Sequence, residues 1–489
     1  MKLISRQLSR VTRSATIATW FSQGARLTNT LVVLPFVLTS FTEAEIAVWL
    51  LIVTLNSFQI LFDGGFTPTL TRFVSYLSAD HPDRDRLAEL GFDSESTRDI
   101  IALRRAVVRA IKWTSFTLSI AGVALLVSVG PVLIARQAAE LPSPRVGALA
   151  LMILAPTWFI EMNGRRFLSI LEGSGDVARV RRWAGVFGIL TAVTNIVVVL
   201  SGAGILLLTF SSQVWRWVNV VWNRHLVHAS RNQNVQKWTG QSGRDPSTND
   251  LNKRILKLLW SKGKRSALGV AFGYGSSHAT GLIYAQVGSA SAVAGYLLAL
   301  RLFDLMKQIS QAPFYSVLPR FGEMYAAKGV GALKKLSQER TRVSLLLFSV
   351  SVVTVFVLGD YLLALIGSNA NLPAALTWYV LGLAFLMERT GARNLQTYTV
   401  SNHVVWHHLN IAKGLPAVAL SLAVARFEEP LYFALTLLAA NGFVYMPWAT
   451  ALNGRFINES PVTILRRVTA LPAMILGAGL VISLLFFGG

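Results

Sequence analysis

Apolar runs of about 20 residues recur along almost the whole chain, separated by short polar stretches, and each is long enough to carry an α-helix across a bilayer core. The runs place spans at 14–39, 44–66, 106–131, 146–170, 182–201 and 203–223. A second set falls at 265–287, 291–313, 342–366, 373–396, 405–425 and 431–452, and a last one at 466–487. Six, six and one make thirteen. The connections alternate in character: 40–43, 202, 288–290, 368–372 and 427–430 are very short, whereas 80–105, 224–265 and 322–342 are longer and basic. The pattern predicts an all-α polytopic membrane protein with its N-terminus in the cytoplasm and its C-terminus outside.

The pattern also repeats. The stretch around Arg72-Phe73 returns 248 positions later around Arg320-Phe321, each behind an apolar span of the same length. FIEMNGRRF (159–167) and LMERTGARN (386–394) match at an offset of 227, pairing Glu161 with Glu388, Gly164 with Gly391 and Arg166 with Arg393. Both copies run in the same membrane direction, which makes these parallel repeats related by an axis along the membrane normal. The expected organisation is an N-terminal six-helix lobe (1–225), a basic cytoplasmic linker (226–263), a C-terminal six-helix lobe (264–455) and an additional span (456–489).

Within the linker, Ser247, Thr248 or Asn249 is placed to cap a helix whose apolar stripe is Leu251, Ile255, Leu258 and Leu259, with Lys253, Arg254 and Lys257 opposite. Such a helix is expected to lie flat on anionic membrane lipids; a plain solvated linker helix is the alternative. The N-terminus is basic and then apolar, but Gln23, Gly24 and Arg26 interrupt the run and no small-x-small cleavage site follows. It reads as a retained first helix.

Composition agrees with the periodicity: 53% of the 489 residues are hydrophobic and only 14% are charged, less than a soluble protein of this size carries. The net charge of +22 suggests nucleic acid at first. Position argues otherwise. With alternating spans, Arg136, Arg145 and Arg426 fall outside, Arg26, Arg216, Arg301 and Lys307 fall within spans, and the other Lys and Arg are cytoplasmic. That is the positive-inside bias and not a DNA footprint. No cysteine is present, which excludes disulfides and thiolate-bound cofactors. There is no phosphate-loop motif, no paired carboxylates outside the membrane, and no metal-ligand spacing among the seven histidines. No cofactor and no enzymatic activity are expected.

The charges within spans are the candidate chemistry. Arg26 and Arg301 lie roughly 19 and 16 Å into their helices at 1.5 Å per residue, one in each half. A midplane arginine costs about 2.5–3.5 kcal/mol even on insertion scales, so each should face protein or a wet cavity. Guanidinium matches phosphate oxygens in bidentate fashion; the structural alternative for Arg301 is an ion pair with Asp304. Lys307, also three residues from Asp304, extends the cationic track or neutralises that acid. His278, in the polar run 273–278, is a candidate contact or a helix–helix hydrogen bond. Asp63 is a weak candidate for ion or proton coupling, alongside Asp304; the plainer reading pairs Asp63 with Arg72. Glu161 is placed to pair with Arg165 at i,i+4, and Arg216 to snorkel toward the interface.

Taken together, the two six-span halves, Ser22-x-Gly24 in the first span, the LFDGGFTPTLTRFVS segment, FLSILEGSGDVARVRRW (167–183), Asn195 and the SGAGILLL hairpin resemble the polysaccharide-transporter branch of the multidrug/oligosaccharidyl-lipid/polysaccharide exporter superfamily. These are the Wzx-like flippases of lipid-linked oligosaccharides. The resemblance covers about residues 10–455, and the thirteenth span departs from the twelve or fourteen of the family. It implies a V-shaped central cavity between two six-helix bundles, whose basic residues hold a polyprenyl-diphosphate head group. Arg26 and Arg301 are where that role falls here. It further implies the bacterial inner membrane, a polyprenyl-diphosphate-linked glycan as substrate, and a glycan polymerase and chain-length proteins as partners. A lipid-linked peptidoglycan precursor flippase or a multidrug exporter of the same superfamily is the nearest alternative. An integral-membrane glycosyltransferase or polymerase lacks the outer loops it would need.

Overall fold

The computed structural model describes residues 15–63, 66–78, 100–238, 249–318, 320–401, 403 and 405–486. Among them the chain is helical, with no strand. An α-helix satisfies every backbone N–H and C=O within itself, which is what a bilayer interior demands. Among the described residues thirteen long helices stand where the apolar runs place them, and shorter ones, two of them numbered, join them. They are α1 (Ala15–Ser40), α2 (Glu43–Asp63), α3 (Phe66–Ser78), α4 (Ile100–Ala139), α5 (Arg145–Gly173), α6 (Val177–Leu200) and α7 (Gly204–His228). Then come α8 (Asn249–Tyr284), α9 (Ala290–Ser310), α10 (Arg320–Ile366), α11 (Ala375–Tyr398), α12 (Trp406–Val424), α13 (Pro430–Ile457), α14 (Pro461–Val468) and α15 (Ala470–Phe486).

Seven of these are both long and apolar enough to cross a membrane, or eight if α14 and α15, bent by 52°, count as one. Helices α7, α8, α9 and α11 have the length but not the apolarity, because they carry Arg216, His278, Arg301, Asp304, Lys307, Glu388, Arg389 and Arg393. Charge is concentrated on a few helices.

Local chemistry sets the ends. Thr42 and Glu45 form a reciprocal capping box at the start of α2: the Thr42 N–H donates to Glu45 Oε2 at 2.9 Å, and the Glu45 N–H to Thr42 Oγ1 at 3.4 Å. Ser289 caps α9 and Ser460 caps α14 in the same sense. The turn between α6 and α7 is only a few residues long, and Gly202 and Gly204 both sit at positive φ, 68° and 75°, a region that side chains resist.

The chain forms two compact units. The first comprises residues 1–40, 52–135 and 143–267; the second comprises 41–51, 136–142 and 268–489. In the first, α1 packs on α6 and α5 on α7. A core of this unit gathers Leu70, Phe73, Val107, Ile111, Leu171 and Val180. In the second, α11 packs against α13, and α15 lies on α10 and α11; Tyr379 and Ser483 share a hydrogen bond of 3.0 Å across that last contact. The repeated hairpin motif therefore anchors both units through the same residue type, since Phe73 and Phe321 are each fully buried.

One expectation is corrected. The linker helix does not lie on lipid: α8 begins at Asn249 and runs unbroken to Tyr284, and its stripe is buried in the first unit. Ile255 and Leu259 join that unit's core, with Leu251 and Leu258 packed against it. An apolar stripe has the same sequence signature whether a membrane or protein covers it. The basic connection 322–342 is continuous with the span expected at 342–366: it forms the first part of α10, broken at Gly329 (φ 71°, ψ −173°).

Candidate functional site

Helices of the second unit carry a continuous buried network of charge. On α9, Arg301, Asp304 and Lys307 recur every three residues and so share one side. Lys307 Nζ lies 2.8 Å from Asp304 Oδ1, and His278 Nε2 of α8 lies 3.7 Å from Asp304 Oδ2. The Tyr274 ring packs on His278 with centroids 4.3 Å apart. Arg301 acts electrostatically on both Asp304 and His278. Lys307, and not Arg301, is thus the close partner of Asp304. Of the two partners the sequence offers Asp304, Lys307 makes the close contact.

The network continues onto α11. Glu388 Oε1 receives Arg389 Nη2 at 3.3 Å and Lys413 Nζ of α12 at 3.5 Å, and Lys307 also acts on it. Aromatic faces stand in for water around the ammonium groups. Lys307 sits 4.1 Å from the Phe385 ring centre and Lys413 4.3 Å from that of Tyr445. Tyr445 closes a π-helical stretch (Ala440–Tyr445) inside α13. Such stretches are rare and concentrate at functional sites. One turn on from Arg389, Arg393 is fully buried, its guanidinium 4.7 Å from the Phe314 ring centre and 5.0 Å from that of Tyr315.

The sum of this network is its main property. Among the described residues it holds Arg301, Lys307, Arg389, Arg393 and Lys413 against Asp304 and Glu388. Arg301 apart, four bases meet two acids in a helical interior where unpaired charge is costly.

The first unit pairs its charges more evenly. Asp63 receives Arg165 Nη1 at 2.7 Å and a hydrogen bond from Thr67; Glu161 receives Arg216 Nε at 2.9 Å. The expected Asp63–Arg72 and Glu161–Arg165 pairs and the snorkelling Arg216 are all corrected. Partners near in sequence lost to partners on a packed neighbour. A small cavity lined by Asp63, Thr67, Thr114, Ser115, Met162 and Arg165 adjoins the first pair. Arg26 lies on α1, but its side chain is outside the described residues.

The structure therefore brings His278, Arg301, Asp304 and Lys307 together, and places Asp63 in the other unit. The assignment of all but four bases to cytoplasmic or outer segments is corrected too: Lys413 is 3% exposed and lies within α12. Its signal was present as one lysine inside the run IAKGLPAVAL. The repeat positions hold a shared structural role. A Cβ on Gly164 would come 2.5 Å from Val220 of α7, and one on Gly391 would come 2.7 Å from Tyr445 of α13. In both units the fourth helix of the half seats a glycine against the sixth.

No protein-family model matches the chain, and no curated protein matches it. Solved structures do. The chain is similar to the lipid II flippase MurJ in an inward closed conformation, with a TM-score of 0.61 at 12% identity over 97% of this chain and 98% of that one. It is similar to an inward-facing multidrug-resistance MATE transporter of the MOP superfamily, with a TM-score of 0.65 at 12% identity over 90% and 99%. A MOP superfamily transporter from Pyrococcus furiosus, described as having a binding pocket of reversed polarity, matches with a TM-score of 0.55 at 13% identity over 92% and 98%. The chain has the fold of these membrane transporters.

Proposed function

We propose that the protein is a flippase that moves a polyprenyl-diphosphate-linked oligosaccharide from the cytoplasmic to the outer leaflet of a bacterial inner membrane, by alternating access, for O-antigen or exopolysaccharide synthesis. The observation that carries this reading is the surplus of buried cations on α9, α11 and α12. Arginine stays charged in any protein setting, and buried charge demands a partner. An anionic substrate completes the set. A cationic drug would add to the surplus, and a neutral glycan would leave it unbalanced.

On this reading Arg301, Lys307 and His278 contact the head group, and Arg26 supplies a cation from the first unit. Asp304 and Asp63 are the candidates for coupling to an ion or proton. Each sugar hydroxyl costs up to about 4–8 kcal/mol to strip into hydrocarbon, so a glycan head group needs a wet path. A glycan polymerase and chain-length proteins are the proposed partners.

A lipid-linked peptidoglycan precursor is the second reading, favoured by the likeness to a lipid II flippase along 97% of the chain. The test is transfer in proteoliposomes of a prenyl-diphosphate-linked oligosaccharide, a lipid-linked peptidoglycan precursor and a cationic dye. The oligosaccharide is expected to move, and Arg301→Ala and Lys307→Met to slow it at least tenfold. Movement of the dye alone would overturn both lipid readings; movement of the precursor alone would select the second.

A further inference from the structure

We propose that Arg393, with Arg389 one turn before it, is the subsite that grips the diphosphate, and that Tyr315 is its removable cover. This rests on the diphosphate-lipid reading above. Arg393 is 0% exposed. Its Nη1 donates to Gln396 Oε1 at 3.0 Å and the Tyr315 hydroxyl lies near enough to act on the guanidinium, while Nε and Nη2 have no partner at hydrogen-bond geometry. Those two nitrogens form the side-on edge of the guanidinium, the fork that holds two oxygens of one phosphate. Arg389 is engaged differently: its Nη2 reaches Glu388 Oε1, which occupies one prong of that edge, and Nε alone has no hydrogen-bond partner. Residues four apart lie on one side of a helix, so α11 holds two guanidiniums close enough to act on each other. Like charges at that spacing repel until an anion joins them. In the first unit, the repeat position Arg166 also leaves Nε without a partner.

Access is the second part. Phe314 and Tyr315 end the short helix Ala312–Tyr315, and both rings lie against Arg393. Tyr315 also accepts a hydrogen bond from Gln396, the residue that holds Nη1. Yet Tyr315 is 41% exposed while the guanidinium it touches is wholly buried. Of the two rings against the guanidinium, Tyr315 is the one with exposed surface, and its rotation is the proposed opening of the site. Arg393 lies about 8 Å from the C-terminal end of α11 at 1.5 Å per residue. That is nearer to a helix end than Arg301, which stands about 14 Å from the end of α9 at the same rise.

The experiment uses the purified full-length protein and isothermal titration with farnesyl diphosphate, farnesyl monophosphate and inorganic pyrophosphate. Farnesyl diphosphate is expected to bind most tightly, at least tenfold better than the other two. R393K keeps the charge but loses the fork, and is expected to weaken farnesyl diphosphate about 10- to 100-fold, the loss for one charged hydrogen-bond pair, while monophosphate binding changes little. Y315A removes the cover and is expected to speed association several-fold, a readout independent of any folding defect in R393K. A folded R393K with wild-type affinity, or a Y315A with unchanged association, overturns the subsite alone. Equal affinity for free pyrophosphate assigns the fork to a soluble anion and overturns its lipid role. Wild-type protein that binds no diphosphate overturns the lipid-linked reading and the subsite with it.

Discussion

Lys307 shows how a single residue's worth depends on what it leaves behind. It lies 2.8 Å from Asp304, in a setting where both side chains are mostly buried. Removing one partner of a buried pair costs about 3–5 kcal/mol because the other charge stays uncompensated. Lys307→Met is therefore expected to lower membrane abundance sharply, and Lys307→Met with Asp304→Asn to recover most of it; quantitative immunoblotting of membranes reads the difference. The same double in the transport assay separates structure from substrate contact, since restored abundance without restored transport assigns Lys307 to the substrate. Gly164 gives a second, purely steric test. A methyl there meets Val220 at 2.5 Å, and such overpacking costs about 1–3 kcal/mol. Gly164→Ala should lower the thermal midpoint in detergent, and Val220→Ala added to it should restore the midpoint by making room.

At the scale of elements, α8 carries the clearest consequence. Its first half is a core element of the first unit, with Ile255 at 2% and Leu259 at 0% exposure. Replacing either by Ser removes a buried aliphatic group, at about 2–5 kcal/mol each by analogy with Leu→Ala in other cores, and adds a buried hydroxyl. The expected result is loss of thermal stability, with vesicle binding of the solubilised protein unchanged. A drop in vesicle affinity at unchanged stability would return the stripe to the lipid surface. The π-helical stretch of α13 has a comparable role, because its extra residue sets where Tyr445 stands over Lys413. Deleting Gly442 should convert it to a regular helix, turn Tyr445 off Lys413 and lower transport. Unaltered transport in the shortened protein would leave the π-helix without a functional part.

For the whole molecule, orientation is the testable property. The chain has no cysteine, so single introduced thiols report without background. A thiol at exposed Ser143, between α4 and α5, is expected to react with an impermeant maleimide in intact cells. One at exposed Lys335, in the first part of α10, is expected to react only after the membrane is opened. The reverse pattern would invert the topology, and with it the direction of the proposed transport.

What the amino-acid order determined unaided was the inventory of helices and the charge they carry. Runs of apolar residues must become helices in hydrocarbon, because no other single segment satisfies its own backbone there. That constraint is local, so the thirteen long helices stand where the runs predict. The Glu–Gly–Arg repeat was legible for the same reason, as a pattern within a segment. Partnership was not. Asp63 found Arg165 and Glu161 found Arg216, and only the Asp304–Lys307 pair, three residues apart on one helix, was open to the sequence. Two of those three pairs join different helices, and crossing points between helices have no linear signature. The stripe of α8 was equally silent about whether lipid or protein would cover it. Tertiary structure alone decided which cations on α11 and α12 end together, and which edge of Arg393 is left without a partner.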